Sequence, residues 1–393
     1  MSEQPAQDAA ADPEPGRAAG EAADAECADA GAGRAGDGER PPRVLLDLLA
    51  ARGPSGYEHA PAEVWRAAAG EFASASSDVV GTPIALVAPE HGYESDSRRL
   101  LVMGHIDEIG LIVTYIDDEG YLWFTGVGGW DAQILVGQRV VIDTRAGPVA
   151  GVVGRKPIHL LRDEDRKKVA EIRELHIDVG ARDGEQARSL VRVGDVAVID
   201  ATPVQLPNGR LVSRALDNRL GSFVALEAAR LVAHAGGAQW ELAAVAAVQE
   251  ETTFGGSRTS AFALEPDAAI VIDVTHATDA PGIDVKEAGK HELGSGPVIS
   301  RGSNLSPKLF ELLHETAEAE KIPFTVEASA RATGTDADAV HISRGGVPTG
   351  LVSIPIRYMH SPVELVQLED VDACARLIAA AALALERDGS FGR

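Results

Sequence analysis

Two imidazoles and five carboxylates lie at the ends of apolar runs in this chain. Their types and spacing suit them to chemistry. They are His105 and Asp107 in Gly-His-Ile-Asp-Glu-Ile-Gly, Asp217 in Ala-Leu-Asp-Asn-Arg, Glu250 and Glu251 in Val-Gln-Glu-Glu, Asp273 in Ile-Val-Ile-Asp-Val, and His360 in Arg-Tyr-Met-His-Ser-Pro. Imidazole nitrogens with carboxylate oxygens form a borderline hard ligand set that suits zinc, cobalt or manganese. Strands that end in such groups are how an open α/β sheet builds a site at its carboxyl edge. The chemistry this implies is hydrolysis at a pair of metal ions.

Each piece has a plainer reading beside the chemical one. One residue separates His105 from Asp107, so in an extended segment both side chains point to one side. The ring could bind a metal through one nitrogen while the carboxylate orients it, or both could belong to a self-satisfied polar loop. Asp217 opens a helical stretch, where an Asp is ordinarily an N-cap. As a ligand it would be the carboxylate that joins two cations about 3.5–4 Å apart. Glu250 and Glu251 follow an apolar run. Burial and mutual repulsion make such a pair costly unless cations are near. One of the two can bind metal while the other stays free as a general base; otherwise they are an acidic loop at a strand end. Asp273 ends Ile270-Val271-Ile272 and needs a partner, because an unpaired buried carboxylate is strongly disfavoured. A lone His360 would ordinarily be structural. The chemical reading rests on joint occurrence, since each residue lies just past a predicted strand. Rival chemistries lack their signatures. There is no Gly-x-Ser-x-Gly elbow, no motif around Cys27 or Cys374, and no phosphate-binding Gly-x-x-x-x-Gly-Lys loop.

The elements that must position these residues follow an α/β pattern that is interrupted once. Leu100-Leu101-Val102-Met103 is wholly apolar and reads as a buried parallel strand ahead of His105. Leu242 to Val248, Ala268 to Ile272 and Thr349 to Ile356 are apolar runs before Glu250, Asp273 and His360. Helices are predicted over Val44 to Leu49, Glu58 to Phe72, Leu220 to Ala233, Pro307 to Glu320 and Asp370 to Glu386. Between Leu111 and Gln205 the character changes. Asp117-Asp118-Glu119-Gly120 and Arg145-Ala146-Gly147 each separate two strand-like runs, which are hairpin signals. This stretch is expected to be an inserted β domain, a small barrel, with one helix over Glu164 to Ile172. The expected division is therefore residues 41–110 and 206–393 for the α/β domain and 111–205 for the insert.

Composition bounds the remaining possibilities. The chain has 393 residues, 45% apolar and 24% charged, as an ordinary globular protein does. A net charge of −24 argues against nucleic acid and against anionic membrane surfaces as partners. Residues 1–40 contain no Val, Leu, Ile, Phe, Tyr or Trp, and hold ten acidic residues against three arginines. With nothing to bury, they are expected to be a disordered acidic tail. Two distant cysteines, no apolar run long enough to span a bilayer and no signal-peptide pattern lead to the expectation of a cytoplasmic protein.

At this point the motifs resemble those of metallopeptidase family forty-two, the tetrahedral aminopeptidases, also labelled glutamyl aminopeptidase or endoglucanase-like. The resemblance is carried by Gly104 to Gly110, Ala215-Leu216-Asp217-Asn218-Arg219, Gln249-Glu250-Glu251, Ile272-Asp273-Val274-Thr275 and Arg357 to Pro362. Lys156 to Leu160, Asp178 to Ala181, Gly294 to Pro297 and Gly334-Thr335-Asp336-Ala337 add to it, and it covers about residues 42–388. It implies a mixed-sheet, phosphorylase/hydrolase-like exopeptidase domain with a dinuclear metal site and an inserted β-barrel for dimerisation. It also implies two zinc or cobalt ions per subunit: His105 and Asp273 on one, Glu251 and His360 on the other, Asp217 bridging. Glu250 would be the general base, Asp107 would support His105, and Asp336 is a candidate to meet the substrate's free α-amine. The implied activity is release of N-terminal residues from peptides, by subunits that assemble from dimers into dodecamers. Another dinuclear hydrolase on the same frame, a deacylase or carboxypeptidase, is the alternative. The chain departs from the family at Thr252 to Ser257, where a Val-Gly-Leu-Arg-Gly-Ala-like turn is usual.

Overall fold

The computed structural model describes residues 40–392. All of the acidic segment but Arg40 lies outside the described residues. Four parallel strands form the centre: Glu241–Ala247, Arg99–His105, Ala268–His276 and Thr349–Arg357, in that spatial order. Their residues are buried almost without exception, which is why the sequence shows apolar runs here in place of polar alternation. The period of two survives as a division between two apolar cores. Leu100, Val102, Leu242, Ala244, Ile270 and Ile272 enter one core, with the helices Arg43–Ala50, Leu216–His234 and Leu368–Leu383. Leu101, Met103, Ala243, Val245, Ala269 and Val271 enter the other, with Gly255–Leu264 and Ala337–Val340. His105 and Asp273 follow the second set by alternation, so both leave the sheet on one face.

The mixed sheet has eleven strands; Val298–Gly302 pairs antiparallel with Thr349–Arg357 and parallel with Thr325–Ser329, and the others added to the centre are antiparallel. Pro83–Val87 and Ser74–Ser77 extend one edge, while Glu364–Gln367, Arg210–Ser213 and Val204–Leu206 extend the other. The expected helices at the start, middle and end of the chain are present, as Arg43–Ala50, His59–Ala69, Leu216–His234, Pro307–Ala319 and Leu368–Leu383. No helix among the described residues is long and apolar enough to cross a membrane.

Just after His105 the chain leaves this sheet. Six strands, Gly110–Ile116, Leu122–Val127, His176–Asp178, Gly147–Gly154, Arg139–Thr144 and Val196–Ile199, then close into an antiparallel barrel. It has its own apolar core, including Leu111, Leu122, Ile142 and Ile177. Both expected hairpins are there. In the first, Asp117 turns the chain by accepting the Tyr121 N–H at 2.8 Å, and Gly120 takes φ +97°.

The helix expected over Glu164 to Ile172 is not formed. That segment holds only single 3-10 turns, Asp165–Lys167 and Ile172–Glu174. Arg166, Lys167, Lys168 and Val169 are exposed and only Ala170 is buried. A helix there would have no apolar stripe to dock, and packing of such a stripe is where most helical stability comes from. The barrel's helices are instead Ala132–Leu135 and Gly184–Leu190. The second is capped by Asp183, which accepts the Gln186 N–H at 2.8 Å, and it buries Ala187.

Candidate metal centre

The strand ends bring the seven side chains together. His105 ends its strand, and Asp107 follows in the loop. Asp217 lies at the start of the helix Leu216–His234, Glu250 and Glu251 open the short helix Glu250–Thr253, and His360 lies beyond Thr349–Arg357. Asp273 sits inside its strand, which runs on to His276, and not at its end as the apolar run suggested. His105 Nε2 lies 3.2 Å from Asp217 Oδ1, 3.8 Å from Glu250 Oε2 and 3.9 Å from Asp273 Oδ1. His360 Nε2 lies 3.3 Å from Asp217 Oδ2 and 3.4 Å from Glu251 Oε1. Two donor groups result, His105–Asp217–Glu251 and His105–Glu250–Asp273, each with one ligand atom per residue and all of these within 4.8 Å of one another.

Asp217 is not the helix cap: Asn218 Oδ1 accepts the Gly221 N–H at 2.8 Å, and the Asp217 carboxylate turns to the two imidazoles. Asn218 also ties this start to the sheet, donating through Nδ2 to the Ile272 carbonyl at 2.8 Å. Asp107 has a second task that its spacing did not reveal. Its Oδ1 lies 3.4 Å from His105 Nδ1, without hydrogen-bond geometry, but its two oxygens accept the N–H groups of Glu250 and Glu251 at 3.1 Å each.

Sequence reasoning missed three contributors. Glu364 is buried and accepts the N–H of Asp217 at 3.1 Å and of His360 at 2.9 Å. Glu58, read only as a helix start, is buried and accepts the Gln249 N–H at 3.0 Å. Gly129, in the barrel, offers its carbonyl to His360 Nδ1 at 3.0 Å. A buried acidic residue four positions past His360 was a possible signal for Glu364, whereas a backbone carbonyl leaves no trace in residue type. Glu108 and Arg219, the other charges in the two motifs, are structural: Glu108 pairs with Arg214 and, at 2.8 Å, with Arg219.

The backbone around the donors is held in an uncommon conformation. Ala215, Gln249, Tyr358 and His360 take φ of 60°, 61°, 62° and 59° without being glycine. Each such residue costs on the order of 1–3 kcal/mol, and such residues cluster at functional sites. The departing loop turns the same way at Phe254, φ 56°, before the helix Gly255–Leu264, and Thr252 Oγ1 lies 2.9 Å from Ser55 Oγ.

Crowded carboxylates set the electrostatics. Burial pushes Glu250 up to about 10, with Asp273, Asp336 and Glu251 adding to it and His105 opposing. Burial and Asp217 hold Asp273 well above the usual carboxylate range. Burial would also raise Asp217, but His105 and His360 outweigh it and hold the carboxyl low. His360 is pushed up to about 11 by Asp217 and Glu251. Asp336 is buried, and burial raises it to about 6 against the lowering effect of His105 and the adjacent Ser257. Carboxylates this crowded retain protons unless cations replace them, so the donor set fits divalent metal ions.

The profile of the M42 glutamyl aminopeptidase family matches residues 85–377. The lysyl aminopeptidase of Pyrococcus furiosus is 35% identical over 343 residues, which is 85% of this chain and 94% of that protein. Among solved structures, a TET aminopeptidase from a marine-sediment Thaumarchaeota archaeon superposes with a TM-score of 0.82 at 34% identity, covering 87% of this chain and 96% of the other. The Pyrococcus horikoshii TET1 peptidase, which can assemble into a tetrahedron or a large octahedral shell, superposes with a TM-score of 0.75 at 33% identity, covering 87% and 99%. A mixed sheet with an inserted antiparallel barrel is therefore the fold of a known class of peptidases. The chain belongs to the M42 glutamyl aminopeptidase family, and it is a hydrolase of the aminopeptidase class.

Proposed function

We propose that this chain releases N-terminal residues from peptides at a site of two divalent cations, zinc or cobalt. The observation that carries the reading is the attitude of Asp217. One of its oxygens faces His105 at 3.2 Å and the other faces His360 at 3.3 Å. A single carboxylate turned to two imidazoles suits a bridge between two ions. His105 and Asp273 would hold one ion, Glu251 and His360 the other. Bound there, the cations supply Lewis acidity at the scissile carbonyl and at the attacking water.

The remaining steps belong to the chain. Glu250 takes the proton of the attacking water and returns it to the leaving amine. Burial, with Asp273, Asp336 and Glu251, raises its basicity, and it accepts as the carboxylate, the form that nearby cations would favour. Asp107 keeps Glu250 and Glu251 in separate roles by gripping both of their N–H groups. Asp336 is the acidic group available to meet the substrate's free α-amine. We also propose that subunits pair through the barrel and that the pairs assemble into a dodecamer, as the solved dodecamer and shells of the Pyrococcus horikoshii relative suggest.

The test is Glu250→Gln, assayed on peptides with free and with blocked N-termini. Metal content should persist while kcat falls by about 10²–10⁴-fold, and blocked peptides should be inert for the parent enzyme. Near-normal turnover in the variant would remove Glu250 as the base. Cleavage of blocked peptides would favour a deacylase or carboxypeptidase on the same frame.

A further inference from the structure

We propose that the barrel is part of the metal centre: the turn after strand Leu122–Val127 positions His360 for its ion. This rests on the reading of His360 as a ligand. The imidazole comes from the α/β sheet, yet its Nδ1 lies 3.0 Å from the carbonyl oxygen of Gly129, in the barrel. A carbonyl can only accept, so Nδ1 carries the proton and donates it. Nε2, which faces Asp217 and Glu251, is then the nitrogen left for a cation. Glu364 holds the His360 backbone N–H but does not set the rotation of the ring. The side chain is 36% exposed, so packing alone does not fix it either. The tautomer and the direction of this ligand therefore depend on where the Gly129 carbonyl points.

The turn is built to hold that carbonyl still. The Trp130 indole N–H donates to the Gly110 carbonyl at 2.8 Å. Gly110 is the first residue of its barrel strand and pairs with Val127, so this bond pins the turn across its own hairpin. Glycines let the turn lie close. A Cβ on Gly126 would lie 3.0 Å from the Trp130 ring. One on Gly128, where φ is +77°, would lie 2.6 Å from Ile109 Cγ2 and 3.2 Å from Glu251 Oε2. The insertion thus supplies orientation to a site whose donor atoms all come from the sheet domain. Any shift of the barrel's first hairpin is felt at His360.

The experiment is a cobalt(II) titration of the metal-free, full-length protein, read by visible absorption. Parent protein is compared with Trp130→Phe, which keeps an aromatic ring and removes the indole N–H together with its five-membered ring. His360→Gln identifies which binding step belongs to that ligand. In Trp130→Phe the His360 step should weaken by about tenfold with an altered spectrum, while the other step holds. Two unchanged steps and an unchanged spectrum overturn the proposal. Equal weakening of both steps does so too, because a general structural role would act in that way. Parent protein that binds no cobalt(II) overturns the metal reading underneath. If Trp130→Phe does not fold by circular dichroism, Gly126→Ala, whose Cβ would press the Trp130 ring at 3.0 Å and meets no donor side chain, is read against the same outcomes.

Discussion

Carboxylates near the site divide by what their oxygens face. Asp217 faces two imidazoles, whereas Asp107 and Glu364 each grip two backbone N–H groups of donor-bearing residues. Of the ligands proposed, Asp273 and His360 sit above their ordinary values, so cations binding there would displace protons. Affinity for zinc or cobalt should therefore rise with pH, with proton release measured by calorimetry in buffers of different ionisation enthalpy. Proton-independent binding would mean that these groups are not the ligands. Glu108 shows the other behaviour. Burial alone would raise its carboxyl, but Arg214 and Arg219 outweigh burial and hold it below the usual value. Glu108→Gln leaves two buried guanidiniums short of a partner and should cost about 3–5 kcal/mol at pH 7 by urea unfolding. The folded value is depressed, so this stability is present above the unfolded carboxylate range and lost as pH falls from there through the lower folded value. The gap between parent and variant should narrow below about pH 4; a gap independent of pH would count against an ionic origin.

At the scale of elements, the approach of helix Leu216–His234 to strand Arg99–His105 decides whether Asp217 reaches His105. Gly104 makes that approach possible. A Cβ there would lie 2.6 Å from both the Gly221 carbonyl oxygen and the Ser222 nitrogen, which are backbone atoms that cannot step aside. Gly104→Ala should destabilise the protein by about 1–3 kcal/mol in urea unfolding and weaken metal binding as Asp217 is pushed away from His105. A variant as stable and as tight-binding as the parent would show that the contact is slack. The strands were the most legible elements. Leu100 to Met103 and Leu242 to Val248 are too apolar to be anything but buried, and the turn residues after Ile116 and Ile142 announce hairpins. The expected helix over Glu164 to Ile172 failed because helix-forming residues do not make a helix where nothing packs on it. Asp217 looked like a cap because an Asp before a helix usually is one, and nothing in residue type shows that the adjacent Asn218 takes that bond instead.

For the whole molecule, the proposed assembly predicts that native mass measurement finds species of twelve chains, with dimers as the building unit. A monomer at working concentration would overturn it, and dimers alone would remove the dodecamer. By itself, the sequence determined the chemistry available and the buried strands that carry it, because donor type and local period are properties of neighbouring residues. It also determined that a β-rich insertion follows His105, since turn residues and apolar runs are local signals. Tertiary structure alone decided which oxygen faces which partner. Asp107 meets Glu250 across 143 positions, Glu364 meets Asp217 across 147, and Gly129 meets His360 across 231. The direction of a carboxylate or a carbonyl is set by such long-range packing. That is why two imidazoles and five carboxylates could be singled out in order along the chain, while Glu364 and Gly129, which aim two of them, could not.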